Sequence, residues 1–147
     1  MADISIFSES ERLAIKAAIA EAEKNTSGEI RVFIDDHCHD VATLDKAAFV
    51  FEQLDMHKTA LRNSVLIYVS VKDHKFAIIG DKGINELVGD MFWETTKDII
   101  MQSFKKGNIS AGIINGIEEA GRVLQKHFPF HKDDINELPN DVVFGNE

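Results

Sequence analysis

Two strand-like runs with one helical segment between them constrain this chain more than any other feature. Ser64–Ser70 is apolar without interruption over residues 65–69, which is typical of a strand covered on both faces. Glu29–Asp35 alternates with period two, which predicts a strand with one drier face. The segment between them carries an apolar stripe at helical spacing: Leu44, Ala47, Ala48, Phe51 and Leu54. Because such a unit is almost always a right-handed crossover, the two strands should be parallel.

The rest of the chain adds helices and two further strands. A capping-box spacing from Ser8 to Glu11 predicts a helix over residues 9–24. A turn at Asp73 and His74 should lead into a third, antiparallel strand over residues 75–80.

Two later helices and a short strand complete the pattern. Asp90 should cap a helix with the inward residues Phe92, Trp93, Ile99, Ile100 and Phe104. Ser110 should cap the last helix, whose stripe is Ile113, Ile117, Ala120, Leu124 and Phe128 before Pro129. Val142–Phe144 is expected to add a fourth strand at a sheet edge.

These elements predict an α/β fold, a three-layer αβα sandwich around a small mixed sheet of about four strands. The 147 residues fit one domain spanning residues 1–147, with an acidic C-terminal segment, residues 130–147, packed on its edge. We expect a cytoplasmic protein, since no secretory signal and no membrane-length apolar stretch is apparent. The single cysteine agrees with a reducing compartment.

Net charge narrows the class of partner. The formal charge of -9 opposes binding to a nucleic-acid backbone, because such proteins need a basic face. Surplus carboxylates instead attract divalent cations or a basic protein partner, or they serve solubility alone.

A doubled motif supplies the main functional clue. The pattern Ile-Asn-Glu-Leu-x-x-Asp occurs over residues 84–90 and again over residues 135–141. Oxygen-rich loops of this kind suit Ca²⁺ or Mg²⁺, and two loops together have enough oxygens for one or two ions. The predicted metal ligands are Asp81, Asp90, Asp134, Asn136, Glu137 and Glu29. The alternative is that both acidic loops are simply solvated and that their likeness is chance.

The predicted topology sorts polar residues to two edges of the sheet. One edge collects Asp35, Asp36, His37, His39 and Asp73, and the opposite edge collects Glu29, Arg62, Asn63 and Asp81. Residues 35–40 form a rival site, because open α/β sheets bind ligands at the carboxyl ends of parallel strands. Zinc is disfavoured there because Cys38 has no second cysteine to join it.

Three stretches carry a family resemblance: Ser27-Gly28-Glu29-Ile30-Arg31-Val32, Arg62-Asn63-Ser64-Val65-Leu66-Ile67-Tyr68-Val69-Ser70, and Gly83-Ile84 with Asp90. In their order and spacing they resemble the TPM domain family, found in thylakoid lumen and photosystem II repair proteins. The resemblance covers about residues 8–129 and implies an αβα fold, divalent-cation binding and, from plant members, acid-phosphatase activity. The chain departs from the family pattern at Asn63-Ser64 and at Asn85, where an acid is frequent.

We therefore expect a TPM domain that binds calcium or magnesium and acts as a metal-responsive regulatory or interaction module. The first alternative is a metal-dependent acid phosphatase, in which Asp81 and Asp90 would hold the metal and Arg62 would clamp the phosphate. The second is a metal-independent module that docks a basic protein partner on its acidic surface.

Overall fold

The computed structural model describes residues 7–37, 42–89, 92–130 and 142–145. The helices are α1 (Glu9–Glu23), α2 (Thr43–Gln53), α3 (Lys82–Val88), α4 (Glu94–Lys105) and α5 (Ile109–His127). The strands are β1 (Glu29–Asp35), β2 (Ser64–Ser70), β3 (Lys75–Gly80) and β4 (Val142–Phe144), and a 3-10 turn spans Met56–Lys58.

The four strands form one mixed sheet in the order β3-β2-β1-β4. β1 pairs in parallel with β2, with Glu29 opposite Ser64, and the predicted crossover is thereby confirmed. β4 is also parallel to β1, with Val142 opposite Val32. β3 runs antiparallel to β2, as predicted from the short turn that joins them.

Two apolar clusters on opposite faces of the sheet confirm the predicted αβα sandwich. The larger cluster joins Ile30, Val32 and their neighbours on β2 to α1, α3, α4 and α5. The smaller one joins Leu66 and Tyr68 to α2. β1 departs from its prediction, because Glu29 and Arg31 on its expected wet face are only 2% and 7% exposed.

Helix α1 begins as predicted. The Ser8 hydroxyl oxygen accepts the Glu11 amide at 3.0 Å, and the Glu11 carboxylate accepts the Ser8 amide at 3.0 Å. The bond from the Ser8 amide, followed by the bond from the Ser110 hydroxyl, lowers the pKa of the Glu11 carboxyl group. Ser110 does not cap α5, because its hydroxyl donates to Glu11 at 2.7 Å and Asn108 takes the capping position.

The segment predicted to be an oxygen-rich loop contains a helix. Asp81 caps α3 by accepting a hydrogen bond from the Lys82 amide at 2.8 Å. Ile84, on the inner face of α3, is buried. Gly83 packs so closely on the turn before β2 that a Cβ there would lie 2.2 Å from the Leu61 carbonyl oxygen. Short helices form where a cap and a packed face outweigh weak propensity, which periodicity over seven residues does not reveal.

Two other expectations about helices were wrong. Helix α4 begins at Glu94 with Trp93 at its N-cap, so Asp90 does not cap it. On α2 the buried residues are Ala47, Val50 and Phe51, whereas Leu44 is 60% exposed. Leu44 lies in the first turn, at the rim of a cavity beside β3, and so it does not enter the core.

None of the helices in the described part of the chain has both the length and the apolar character needed to cross a bilayer.

Candidate functional site

Polar residues gather at both edges of the sheet, and the edge at the start of β1 and β2 carries two of the predicted metal ligands. We call this the amino edge; it contains Glu29, Asn63 and Asp81. Glu29 starts β1, and its amide donates to the Asn63 carbonyl oxygen at 3.4 Å. Asp81 follows β3, and its amide donates to the Ser64 carbonyl oxygen at 2.8 Å. The structure therefore places both predicted ligands at the predicted edge.

Asp81 is held by an arginine. Arg62 donates from Nε to one Asp81 oxygen at 2.7 Å and from Nη2 to the other at 2.9 Å. The Asp81 side chain is only 5% exposed, and its bonds and charge raise the pKa of Arg62. Arg62 adopts this geometry with φ of 52°, a conformation that is uncommon for residues other than glycine. A metal ion at Asp81 would have to displace this guanidinium, and a phosphate clamp at Arg62 would have to displace Asp81.

Glu29 belongs to a carboxyl pair that sequence analysis missed. Its partner is Glu23, at the end of α1, which accepts the Ile30 amide at 2.7 Å. Burial, followed by the charge and hydrogen bond of Glu29, raises the pKa of Glu23 to about 8, although the Ile30 amide and Arg31 oppose that rise. Two carboxyl groups in such contact cannot both be charged cheaply in a poorly solvated place, so Glu23 holds its proton to a higher pH than a free glutamate does.

A sequence signal for this pair exists. Ile15, Ile19 and Glu23 follow one another at intervals of four, so they lie on the same face of α1. Ile15 and Ile19 are buried, so the third member of that row carries a carboxyl group towards the sheet.

The two predicted ligands at this edge, Glu29 and Asp81, do not lie on neighbouring strands. Ser64 lies opposite Glu29 on one side and bonds to Asp81 on the other, so β2 separates them. Two strand spacings correspond to about 10 Å between their backbones. The other predicted ligands, Asp90, Asp134, Asn136 and Glu137, lie outside the described residues.

The direction of β4 bears on the C-terminal ligands. Because β4 is parallel to β1 and begins opposite Val32, its first residue lies nearer the amino edge than its last. Val142 is therefore the β4 residue nearest to Glu29 along the strand direction, and the second motif, at residues 135–141, lies outside the described residues.

At the opposite edge, Asp35, Asp36, His37 and Asp73 lie together as predicted, whereas His39 is outside the described residues. Their oxygens already have partners within the protein. The Tyr68 hydroxyl donates to Asp35 at 2.9 Å, the Ser70 hydroxyl to Asp73 at 2.8 Å, and His37 Nδ1 lies 3.1 Å from Asp73. Such a network stabilises the strand ends without any ion.

A cavity of about 380 Å³ opens beside Asp35, between α2 and the paired strands β1 and β4. Lys46 and Phe49 from α2 line it, together with Gly145 after β4. A Cβ at Gly145 would lie 2.8 Å from a carboxylate oxygen of Asp35, so glycine permits the close approach.

A complete metal site is not assembled from the described residues alone. Within residues 7–37, 42–89, 92–130 and 142–145, no three histidine, cysteine, aspartate or glutamate side chains form a group that could hold an ion. The assignment of Asp81, Asp90, Asp134, Asn136, Glu137 and Glu29 as ligands therefore stays a prediction.

Comparisons with known proteins agree with the resemblance noted in the sequence. The TPM domain family model matches residues 2–123. The solution NMR structure of the BA42 protein from the psychrophilic bacterium Bizionia argentinensis is similar, with 50% identity, a TM-score of 0.88 and coverage of 95% of each chain. No curated protein matches the chain.

Two more distant structures share the fold. The N-terminal domain of a P. gingivalis protein is 15% identical with a TM-score of 0.71, covering 88% of this chain and 85% of that one. The N-terminal domain of the cg2496 protein from Corynebacterium glutamicum is 14% identical with a TM-score of 0.65, covering 80% and 74%. With the matched model spanning most of its residues, this chain belongs to the TPM domain family.

Proposed function

We propose that the protein binds a divalent cation, Ca²⁺ or Mg²⁺, at the amino edge, and that the Glu23–Glu29 carboxyl pair provides the central ligands. The observation that carries the proposal is the pair itself: two carboxyl groups in contact, with Glu29 2% exposed and the pKa of Glu23 raised to about 8. A divalent ion would relieve this repulsion and would take carboxylate oxygens, its preferred ligands.

The amino edge is favoured over the opposite edge as the cation site because its carboxylate oxygens have different partners. At the opposite edge, hydroxyl groups and His37 already satisfy Asp35 and Asp73. At the amino edge, Glu23 accepts the Ile30 amide but also meets the Glu29 carboxyl group, so a cation bound to both would remove the repulsion that raises the pKa of Glu23.

Calcium needs six to eight oxygens, so two glutamates require help. The predicted ligands Asp134, Asn136 and Glu137 precede β4, whose direction favours their participation. Asp81 and Asp90 remain the predicted ligands of a second ion, which would have to compete with Arg62. Binding of ligands from both the core and the C-terminal segment would make the rigidity of that segment depend on metal.

The test is an amide NMR titration of the chelator-treated protein with CaCl₂ and, separately, MgCl₂. We expect saturable shifts at Glu23, Glu29 and Ile30. At a free concentration of 100 times the dissociation constant, the ion should stabilise the fold by about 2.7 kcal/mol. Because the ion competes with a proton, its apparent affinity should rise by up to about tenfold per pH unit below pH 8.

Glu23→Gln is the decisive variant and Glu21→Gln its matched control. Glu21 lies on the same helix, and its side chain is 71% exposed. Calcium should no longer stabilise Glu23→Gln, while the control should respond like the parent protein. Saturable shifts at Asp36 and Asp73 instead would move the site to the opposite edge, and no shift at millimolar calcium would remove the metal function altogether.

A further inference from the structure

The outer edge of β3 is an open end of the sheet. β3 stands last in the strand order, so only β2 pairs with it in the described part of the chain. Asp81 donates to the Ser64 carbonyl oxygen, so these two residues form a hydrogen-bonded pair of the antiparallel ladder. In an antiparallel ladder, hydrogen-bonded and non-hydrogen-bonded pairs alternate along the strands. Phe76 and Ile78 are therefore in non-hydrogen-bonded pairs, and their amide and carbonyl groups are directed away from β2.

These outward groups lie in a groove. A cavity of about 390 Å³ follows β3 from His74 to Gly80. Leu44 at the start of α2 forms one wall, and Trp93 with Met101 of α4 forms the other. The groove is limited at one end, where the Asn85 side chain donates to the Gly80 carbonyl oxygen at 2.8 Å. About five residues of an extended chain would fit along the remaining strand.

The walls are apolar in a way that suits alternating side chains. Leu44 is 60% exposed, although it is a large apolar residue. Ile78 is partly buried against the larger core and Ile79 against the smaller one, so β3 presents apolar side chains on both faces of the sheet. A strand added to this edge would place successive side chains against the two walls in turn.

The charge of the rim indicates what kind of strand would be attracted. Among the described residues that line the groove, His74, Lys75 and Lys97 are basic and Glu94 is acidic. The chain as a whole has a formal charge of -9, so this local excess of basic groups runs against its composition. A basic rim around an apolar edge favours apolar segments that carry acidic residues.

We propose that this groove binds an extended segment of a partner protein, apolar in its middle and acidic at its ends, by adding it to β3 as a fifth strand. Phe76 and Ile78 would supply up to four backbone hydrogen bonds, the two walls would take the apolar side chains, and Lys75 and Lys97 would face the acids. This interaction is independent of metal binding at the amino edge.

The chain itself offers a suitable probe. Residues 141–147, Asp-Val-Val-Phe-Gly-Asn-Glu, combine an apolar centre with acidic ends. Their Val142–Phe144 portion already forms the outermost strand on the other side of this sheet, beside β1. An acetylated, amidated peptide of this sequence is the probe. The same peptide with the amides of both valines methylated is the control, because it cannot form the backbone ladder along either of its edges.

Trp93 is the only tryptophan and lines the groove, so its fluorescence reports occupancy directly. We expect a saturable change in Trp93 emission on adding the peptide, with amide shifts at Phe76 and Ile78. The methylated peptide should bind at least about tenfold more weakly, because each missing backbone bond leaves a polar group unpaired.

Two variants locate the interaction. Leu44→Ser should weaken binding about tenfold by removing an apolar wall, whereas Leu13→Ser, at a residue 58% exposed on α1, should have no effect. Lys97→Glu should weaken binding and reduce its salt dependence. Both target side chains are exposed, so folding should be retained.

Several results would overturn the proposal. These are an unchanged Trp93 signal at millimolar peptide, equal binding of the methylated peptide, and shifts confined to β1. If the amides of Phe76 and Ile78 shift on dilution of the protein alone, the groove is a contact between two copies of this chain, and the proposed partner is wrong.

Discussion

Replacing Glu23 by glutamine should change the pH dependence of stability more than stability itself. Glutamine keeps an oxygen for the Ile30 amide and presents an NH₂ group to Glu29, so it imitates the protonated acid. At pH 5 the variant and the parent protein should therefore unfold at nearly the same denaturant concentration. Above pH 8 the variant should be the more stable of the two.

The sign follows from the direction of the pKa shift. Folding raises the pKa of Glu23 from 4.5 to about 8, so the folded protein binds a proton that the unfolded chain has released. This stabilisation is present at low pH and is lost as the pH rises towards 8. One proton corresponds to a slope of up to about 1.4 kcal/mol per pH unit. Because the side chain is not fully enclosed, we expect a total loss of about 2–4 kcal/mol.

The assay is urea unfolding in chelator at pH values from 5 to 9, with equal denaturant dependence confirming that the same transition is compared. Glu21→Gln is the control, since its exposed ion pair with Lys24 is worth less than about 1 kcal/mol. A parent protein whose stability is constant between pH 5.5 and 8, or a variant curve parallel to it, would refute the raised pKa of Glu23.

Two further changes test the structure beside the pair. Asp81→Asn should lower the free energy of unfolding by about 2 kcal/mol in chemical denaturation, because it breaks a two-bond contact with Arg62 at a buried carboxylate. The control Asp55→Asn, in an exposed ion pair, should lower it by less than about 0.5 kcal/mol. Equal losses would show that the Arg62–Asp81 contact does not stabilise the fold. Gly83→Ala should lower the free energy of unfolding by at least about 3 kcal/mol, because its Cβ would meet two backbone carbonyl oxygens of the turn before β2. The control Gly107→Ala, with φ of 77° and open space around it, should lower it by about 1 kcal/mol. The reverse order in thermal unfolding would show that α3 can move away from that turn.

Periodicity was sufficient for the long elements, but it missed the short helix α3. The apolar run of β2 and the regular stripe of α5 are repeated often enough to specify both type and position, and both predictions are confirmed. Helix α3 has seven residues and one buried side chain, so its pattern could not be told from that of a loop. Its stability depends on Gly83 packing against a turn that is distant in sequence.

The candidate site shows the same division. The two polar edges follow from strand order and direction alone, and the sequence therefore placed Glu29 and Asp81 at one edge correctly. The partners of these residues were not foreseen. Arg62 reaches Asp81 through a positive φ, which leaves no periodic trace in the sequence. Glu23 reaches Glu29 through the packing of α1 on the sheet, and its spacing from Ile15 and Ile19 marks the buried face of α1 but does not name the partner.

The sequence by itself determined the family, the αβα layers and the parallel pairing of β1 and β2, because burial of regularly spaced apolar residues has few solutions. Only the tertiary structure decided which carboxyl groups meet at the amino edge, which one binds arginine, and which strands have a single neighbour among the described strands. These properties depend on distances of a few ångströms between residues far apart in the chain, and electrostatic and hydrogen-bond energies change steeply over such distances.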